Sequence, residues 1–412
     1  MTARLSSVRG PLVKNPPATG GGCDPVKGVL KAMILILEHN VAAGGQTYGQ
    51  LMEHLSRLPG IEVRVHQEQG AEKSLTEVHL IGNTAGLNVE DMRRLPGVSQ
   101  AVRVSEEYRV VGRHREDDRP THFDYKGVRF GQDTLNVFAG LCAVDTRESV
   151  ERMMRALRDA GQVCTRMGAY KPRTSPYSFQ GHGRDCLPYV FELAGKYGVR
   201  VIAMEITHES HIDEIRAALE ETQSPAGVML QIGTRNTQNF ELLKIVGRQR
   251  EFPVLLKRGF GITLDESLHA AEYLASGGNR KVVFGLRGMK TSIGDPHRNF
   301  VDFAHVPVVK RLTRMPVCID PSHSVGARAC APDGLLDILH ATAQGVVAGA
   351  NMILVDFHPE PAGALVDGPQ ALTLRELPHF LEDVALVRKT YERRVRLAAR
   401  ASGLPEVAVP AL

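Results

Sequence analysis

"VRVIAMEITHESHIDEIRAALEETQSPAGVMLQIG", residues 199–233, places two almost unbroken apolar runs on either side of a helical pattern. A strand with one wet face alternates apolar and polar residues; "VIAMEI" and "VMLQI" hardly alternate, so they must be buried on both faces. The spacing of Ile212, Ile215, Ala218 and Leu219 in "HIDEIRAALEE" makes an amphipathic helix able to cover one of those faces. A strand, a helix and another strand in this order predict a parallel pair joined by a crossover.

The same rhythm runs outward in both directions. Further strand candidates are "LNVFAG" from Leu135, "VCTRMG" from Val163, "PVLLKRG" from Pro253, "KVVFGLRG" from Lys281, "MPVCIDPSH" from Met315 and "ANMILVDFH" from Ala350. Helical stretches such as "RESVERMMRALRDAG", "LDESLHAAEYLASG" and "LRELPHFLEDVALVRKTYERR" lie between or after them. Eight strands, with no GxGxxG after the first and no single switch point, predict a closed (β/α)8 TIM barrel over residues 135–400.

Upstream the texture differs. "AMILILEH" is β-rich, "GQTYGQLMEHLSRLPG" is helical with a stopping Pro-Gly, and "IEVRVHQ" alternates with period two. "EVHLIGN", "NVEDMRRLPG" and "VSQAVRVSEEYRVV" continue as strand, helix and strand. The resulting βαββαβ order predicts a small ferredoxin-like α+β domain over residues 33–112. It holds no cluster of catalytic residue types, so it reads either as a regulatory ligand-binding module or as a packing and oligomerisation domain. Residues 113–134 form a charged connector with a short hairpin around Gly127. Residues 1–32, rich in Gly, Pro and Ser, read as a disordered leader without a secretory h-region, or as the product of a start codon set too early, Met33 being an alternative start. Residues 401–412 read as a flexible tail.

Composition narrows the function classes. A net charge of +4 over 412 residues gives no global attraction to nucleic acid, so any basic site must be local. No apolar run approaches the roughly 20 residues that a membrane span needs. Six cysteines with no CxxC pair fit a reducing cytoplasm better than a disulfide framework.

Barrel active sites lie where the strands end. There the chain presents Cys142, Arg166 with Lys171 and Arg173, Glu205, Arg235, Lys257, Arg287, His323, and Asp356 with His358 and Asp367. The cations exceed what one phosphate neutralises, so ligands bearing several anionic groups are expected. Cys142, His323, Asp356 and Asp367 offer a thiolate, an imidazole and two carboxylates, a set suited to a divalent transition metal. Taken singly, the cysteine would be a small core residue and Asp367 before Gly368 a turn; their shared location carries the metal reading.

"GAYKPRTSPYSFQG", "QIGTRNTQNF", "PVLLKRGF", "DPSHS" and "HPEP" followed by "DG" resemble the type I beta branch of the 3-deoxy-D-arabino-heptulosonate 7-phosphate (DAHP) synthase family, from Met33 onward. The sister family that makes 3-deoxy-D-manno-octulosonate 8-phosphate lacks the KPRTS form of the loop. The resemblance implies condensation of phosphoenolpyruvate with erythrose 4-phosphate, releasing phosphate, at the head of the shikimate pathway to chorismate and the aromatic amino acids. It implies that Arg166, Arg235, Lys257 and Arg287 hold phosphoenolpyruvate, with Lys171 near its carboxylate, and that Arg173 and Thr174 grip the aldose and its phosphate. It further implies that Cys142, His323, Asp356 and Asp367 bind a divalent metal (Mn, Fe, Zn or Co), so that Lys171, Cys142 and His323 are the catalytic set. Residues 33–112 would sense Tyr or Phe and, by pairing with another subunit's copy, cover the mouth of a homotetramer or homodimer.

The sequence departs from the family pattern at four places. "AGLCA" stands for the usual AGPCS, and Asp356 stands where the family has a glutamate ligand. Met167 and Val325 stand where glycines are usual. Two alternatives to the synthase follow: a paralogue that joins phosphoenolpyruvate to a different phosphorylated or amino-substituted aldose, and a non-catalytic, amino-acid-sensing partner subunit.

Overall fold

The computed structural model describes residues 32–39, 41, 43–69, 74–82, 84–104, 108–114, 118–292 and 297–401. The leader before residue 32 and the tail after residue 401 lie outside the described residues. The chain divides into two compact units, the first ending at residue 105, short of the 112 read from the sequence.

The first unit runs β1 (Ala32–Leu37), α1 (Gln46–Ser56), β2 (Ile61–Gln69), β3 (Ser74–Gly82), α2 (Val89–Arg93) and β4 (Val98–Val104). Its antiparallel sheet has the order β2-β3-β1-β4, the ferredoxin-like arrangement. Period two puts Met33, Leu35 and Leu37 on one face of β1, where they pack against Leu51 and Leu55 of α1 and Met92 of α2.

In the second unit, residues 108–112 lie on the barrel. The Val110 and Val111 N–H groups donate to the Glu272 carboxylate at 2.9 and 3.0 Å, and Tyr108 bonds Asp265. A hairpin of β5 (Phe123–Tyr125) and β6 (Val128–Phe130) follows, its two turn residues, Lys126 and Gly127, both at positive φ, as a tight primed turn requires.

The barrel strands are β7 (Asn136–Leu141), β8 (Cys164–Met167), β9 (Val201–Ile206), β10 (Gly227–Ile232), β11 (Val254–Lys257), β12 (Val282–Leu286), β13 (Val317–Ile319) and β14 (Met352–His358). They pair in parallel in sequence order, and β14 closes the ring on β7. The helices are α3 (Arg147–Asp159), α4 (Leu187–Tyr197), α5 (Ser210–Thr222), α6 (Phe240–Arg248), α7 (Leu264–Ser276), α8 (Val306–Leu312), the short α9 (Pro321–Val325), α10 (Asp337–Val347) and α11 (Leu377–Ala401). A two-residue strand, β15 (Leu372–Thr373), pairs with the end of β14.

The "MPVCIDPSH" run is shorter as a strand than its composition predicts. β13 stops at Ile319, and Asp320 caps α9 by accepting from the His323 N–H at 3.1 Å. Pro321 occupies the first helical turn, where its missing N–H costs nothing.

One apolar layer fills the barrel, with a residue from every strand: Phe138, Cys164, Ala203, Met229, Leu255, Val283, Cys318 and Leu354. Val128 and Phe130 of the hairpin join it from below. Two residues further along each strand direction, hence facing the same way, come Gly140, Arg166, Glu205, Gln231, Lys257, Gly285, Asp320 and Asp356. The interior thus turns from apolar to charged in one step, with glycine at two of the eight positions. A side chain at Gly140 would put its Cβ 2.3 Å from the Arg166 carbonyl oxygen, so only glycine lets β7 and β8 converge there. Among the described residues, no helix is long and apolar enough to cross a membrane.

Candidate active site

The charged layer opens into a cavity of about 240 Å³. Its walls include Lys171, Arg173, Thr174, Arg235, Lys257, Arg287, His323 and Asp367, eight of the eleven residues to which the family resemblance gives a role. The other three, Cys142, Arg166 and Asp356, do not line it but contact residues that do or one another.

Four donors gather at one side. Ligand atoms of Cys142, His323, Asp356 and Asp367 all lie within 4.8 Å of one another. Cys142 Sγ is 3.1 Å from Asp367 Oδ2 and 3.7 Å from His323 Nε2. His323 Nδ1 faces Asp320 Oδ1 at 3.0 Å, which leaves Nε2 directed to the cluster, the orientation that a ligating imidazole needs. Burial disfavours the imidazolium, but Asp320 and then Asp356 outweigh it and raise the His323 pKa to about 10. Asp320 itself is held well below the usual range by His323, Lys257 and Arg166, despite its burial. Asp367 takes a left-handed backbone with φ 56°, an uncommon conformation for a side-chain-bearing residue and one that marks a site worth its strain. It is both the turn and the cluster member that its sequence context left open. One soft thiolate, one imidazole and two carboxylates at this spacing fit a borderline divalent metal.

Asp356 is the member most engaged elsewhere. Its Oδ1 accepts from Arg166 Nη1 and its Oδ2 from Gln370 Nε2 at 2.5 Å, while His323 Nδ1 stands 3.7 Å away. Arg166 therefore sits beneath the cavity, locked to a carboxylate and with Nη2 3.5 Å from Cys142 Sγ. Burial opposes its charge, but Asp356 and Cys142 raise its pKa.

The other cations differ in how they are held. Lys257 Nζ is 2.5 Å from Asp320. Lys171 Nζ donates to the Cys142 carbonyl at 3.1 Å, lies 3.2 Å from its Sγ and faces Glu205 at 3.6 Å. Burial works against that ammonium, and Cys142 and Glu205 more than compensate, so its pKa rises. Arg287 is 2% exposed, yet its Nε and Nη1 have no hydrogen-bond partner among the described residues. Its guanidinium lies 4.6 Å from the centre of the Phe260 ring, on which Arg235 also rests at 5.4 Å. Burial lowers the Arg287 pKa even with Asp320 nearby.

The loop after β8 is anchored at its ends, where the Lys171 N–H donates to the Gln180 carbonyl at 2.8 Å, and is exposed between them. Arg173 and Thr174 reach the cavity from that exposed part, and Thr174 Oγ1 lies 3.4 Å from Arg235 Nη2.

Sequence reasoning missed four participants. Asp320 had a signal: an aspartate before proline and three residues before His323 is a helix cap in the right place to hold that ring. Arg298, 2.9 Å from Asp367, Gln370 and Phe260 stand in loops with no periodic pattern and carried none.

Comparison with known proteins identifies the family. Residues 108–392 match the model of the DAHP synthetase I family. The phospho-2-dehydro-3-deoxyheptonate aldolase of Thermotoga maritima is 34% identical over 342 residues, covering 82% of this chain and 94% of that protein. A 2-dehydro-3-deoxyphosphooctonate aldolase of Acidithiobacillus ferrooxidans is 28% identical over 264 residues, 61% of this chain and 88% of its own length. The crystal structure of the Thermotoga maritima DAHP synthase superposes with a TM-score of 0.62 at 32% identity, covering 90% of this chain and 98% of that one. A fold, a charged mouth and a sequence match of that extent have one reading: the chain belongs to the DAHP synthetase I family.

Proposed function

We propose that the chain is a DAHP synthase, joining phosphoenolpyruvate to erythrose 4-phosphate and releasing inorganic phosphate. The observation that carries this reading is the buried Arg287, two of whose nitrogens have no hydrogen-bond partner among the described residues, on the same cavity as His323 and Asp367 of the donor cluster. A planar guanidinium in that state is suited to a bidentate grip on phosphate or carboxylate.

Arg287, Arg235 and Lys257 would hold phosphoenolpyruvate, and Lys171 would stand by its carboxylate. Arg166, fixed by Asp356, would act on the bound anion through its field. Arg173 and Thr174, on the exposed part of their loop, would take the aldose phosphate, with Pro172 and Pro176 stiffening the approach. Holding both phosphates brings the terminal methylene of phosphoenolpyruvate and the aldehyde carbon within reach, which converts an encounter of two solutes into a positioned reaction. Lys171 keeps a proton at Nζ for the aldehyde oxygen as the carbon–carbon bond forms; water then adds to the phosphate-bearing carbon, gives up a proton, and phosphate leaves as the carbon–oxygen bond to it breaks. Cys142, His323, Asp356 and Asp367 would hold the divalent metal, which when bound supplies Lewis-acid polarisation of the aldehyde or of water.

The test is phosphate release from the two substrates by metal-stripped protein, before and after manganese, zinc, iron or cobalt is restored. Metal-dependent turnover supports the synthase; binding of phosphoenolpyruvate without turnover shifts the reading to another aldose or to a sensing subunit. Asp356→Glu then tests how the carboxylate's reach tunes metal choice.

The ferredoxin-like unit would bind Tyr or Phe, and the enzyme would work in the cytoplasm as a homotetramer or homodimer. Deleting residues 1–105, which spares Tyr108 and its neighbours on the barrel, should abolish inhibition by either amino acid while turnover persists. Inhibition surviving the deletion would rule out that role.

A further inference from the structure

At the end of the barrel opposite the mouth lies a second cavity, of about 410 Å³. Its walls come from segments that lead into strands: Gln132 and Asp133 before β7, and Lys310 in the last turn of α8 before β13. Arg129 of the hairpin and Arg388 and Tyr391 of α11 complete it. The volume falls in the range of small-molecule sites.

Three cations and one carboxylate face this space, and the carboxylate is taken. Asp133 Oδ2 is 3.3 Å from the Arg129 guanidinium. Arg388 is 2% exposed; its Nε donates to Glu392 at 2.9 Å and its Nη2 to the Asp133 carbonyl at 3.1 Å. Its Nη1 has no hydrogen-bond partner among the described residues, and the guanidinium carbon lies 5.2 Å from the Tyr391 ring centre. Lys310 is half-buried, donates to the Gly349 carbonyl and has no carboxylate partner among the described residues. Burial, then Arg388 and Arg113, push its pKa down to about 7. Glu392 offsets one of these two neighbouring cations and nothing among the described residues offsets the other, so an anion between Lys310 and Arg388 would relieve the remaining charge.

We propose that this basal cavity is a binding site for a small organic carboxylate with an apolar body. Lys310 and the Arg388 guanidinium would take the carboxylate, while Tyr391, Val395 and Pro120 offer the apolar wall. The site shares no residue with the mouth, so it stands or falls independently of the synthase reading.

The test uses the full chain and 4-fluorobenzoate, followed by fluorine NMR, with 4-fluorobenzamide as the neutral counterpart and phosphoenolpyruvate as competitor. Saturable binding of the benzoate that phosphoenolpyruvate does not displace is expected, with the amide about tenfold weaker. Lys310→Met should weaken benzoate about tenfold, and Arg129→Gln about threefold, each with a cooperative melting curve retained. Displacement by phosphoenolpyruvate would assign the binding to the mouth and overturn the proposal. Equal binding of the amide, indifference to both substitutions, or no saturable binding would overturn it as well.

Discussion

At the mouth, Lys257 lies 2.5 Å from Asp320, Lys171 3.6 Å from Glu205 and Arg298 2.9 Å from Asp367. At the base, Lys310 has no carboxylate partner among the described residues, and Arg388, though paired with Glu392, leaves one nitrogen without a partner among them. Paired mouth cations are fixed in place before any substrate arrives, and their charges shape the field around the cavity. Unpaired ones carry a standing cost that only a binding partner offsets. Arg287 brings the second situation into the mouth, and this singles it out among the mouth cations as the group expected to gain most from an anionic substrate.

The contrast can be broken first at the metal cluster. Cys142→Ala should lower turnover at least about 10³-fold with metal restored, since the site loses its thiolate. Elemental analysis of the variant should show the metal content falling in parallel, and retention of both would remove Cys142 from the ligand set.

Arg287→Gln should come next, lowering kcat/KM for phosphoenolpyruvate about 10²-fold or more, as truncating a buried charged contact does. Its melting temperature should hold or rise, because an unpaired buried charge is removed. A collapsed melting temperature with normal kinetics in the surviving protein would make Arg287 a structural residue instead.

Asp320→Asn keeps the shape but loses the charge that orients His323 and neutralises Lys257. Metal affinity should fall about 10- to 100-fold, measured by competition with a chelating dye. Unchanged affinity would mean that Asp320 serves only to cap α9.

The smallest effect belongs to the base and appears as pH dependence. Lys310 has a folded-state pKa of about 7 against 10.5 for the free side chain. Between those values the unfolded chain binds the extra proton, so stability rises with pH across that window. The melting temperature of the wild type relative to Lys310→Met should therefore climb by a few degrees from neutral to alkaline pH, an amount typical of about 1 kcal/mol. A flat difference would show that the ammonium is solvated and the two ends alike.

Much of this was legible in the chain. All eight barrel strands stand where the apolar runs are, because burial on both faces leaves a mark in local composition. Arg166, Glu205, Lys257 and Asp356 were legible for a related reason: each follows an inward-facing apolar residue by two positions. The eventual length of β13 was not, since Cys318 and Ile319 look alike to composition and only the cap at Asp320 ends the strand. Arg298, Gln370 and Phe260 were silent because loop conformation follows from contacts with distant segments.

The sequence alone therefore determined the barrel, the ferredoxin-like order ahead of it and the charged residues that stand two positions past the apolar layer. Those features depend on periodicity, which is a property of neighbours along the chain. Tertiary structure alone decided that Arg166 is tied to Asp356 while Arg287 keeps two nitrogens without a partner among the described residues, and that Lys310 and Arg388 meet at the base. Charge pairing depends on distance and burial in space, and residues far apart in sequence acquire both only when the ring closes.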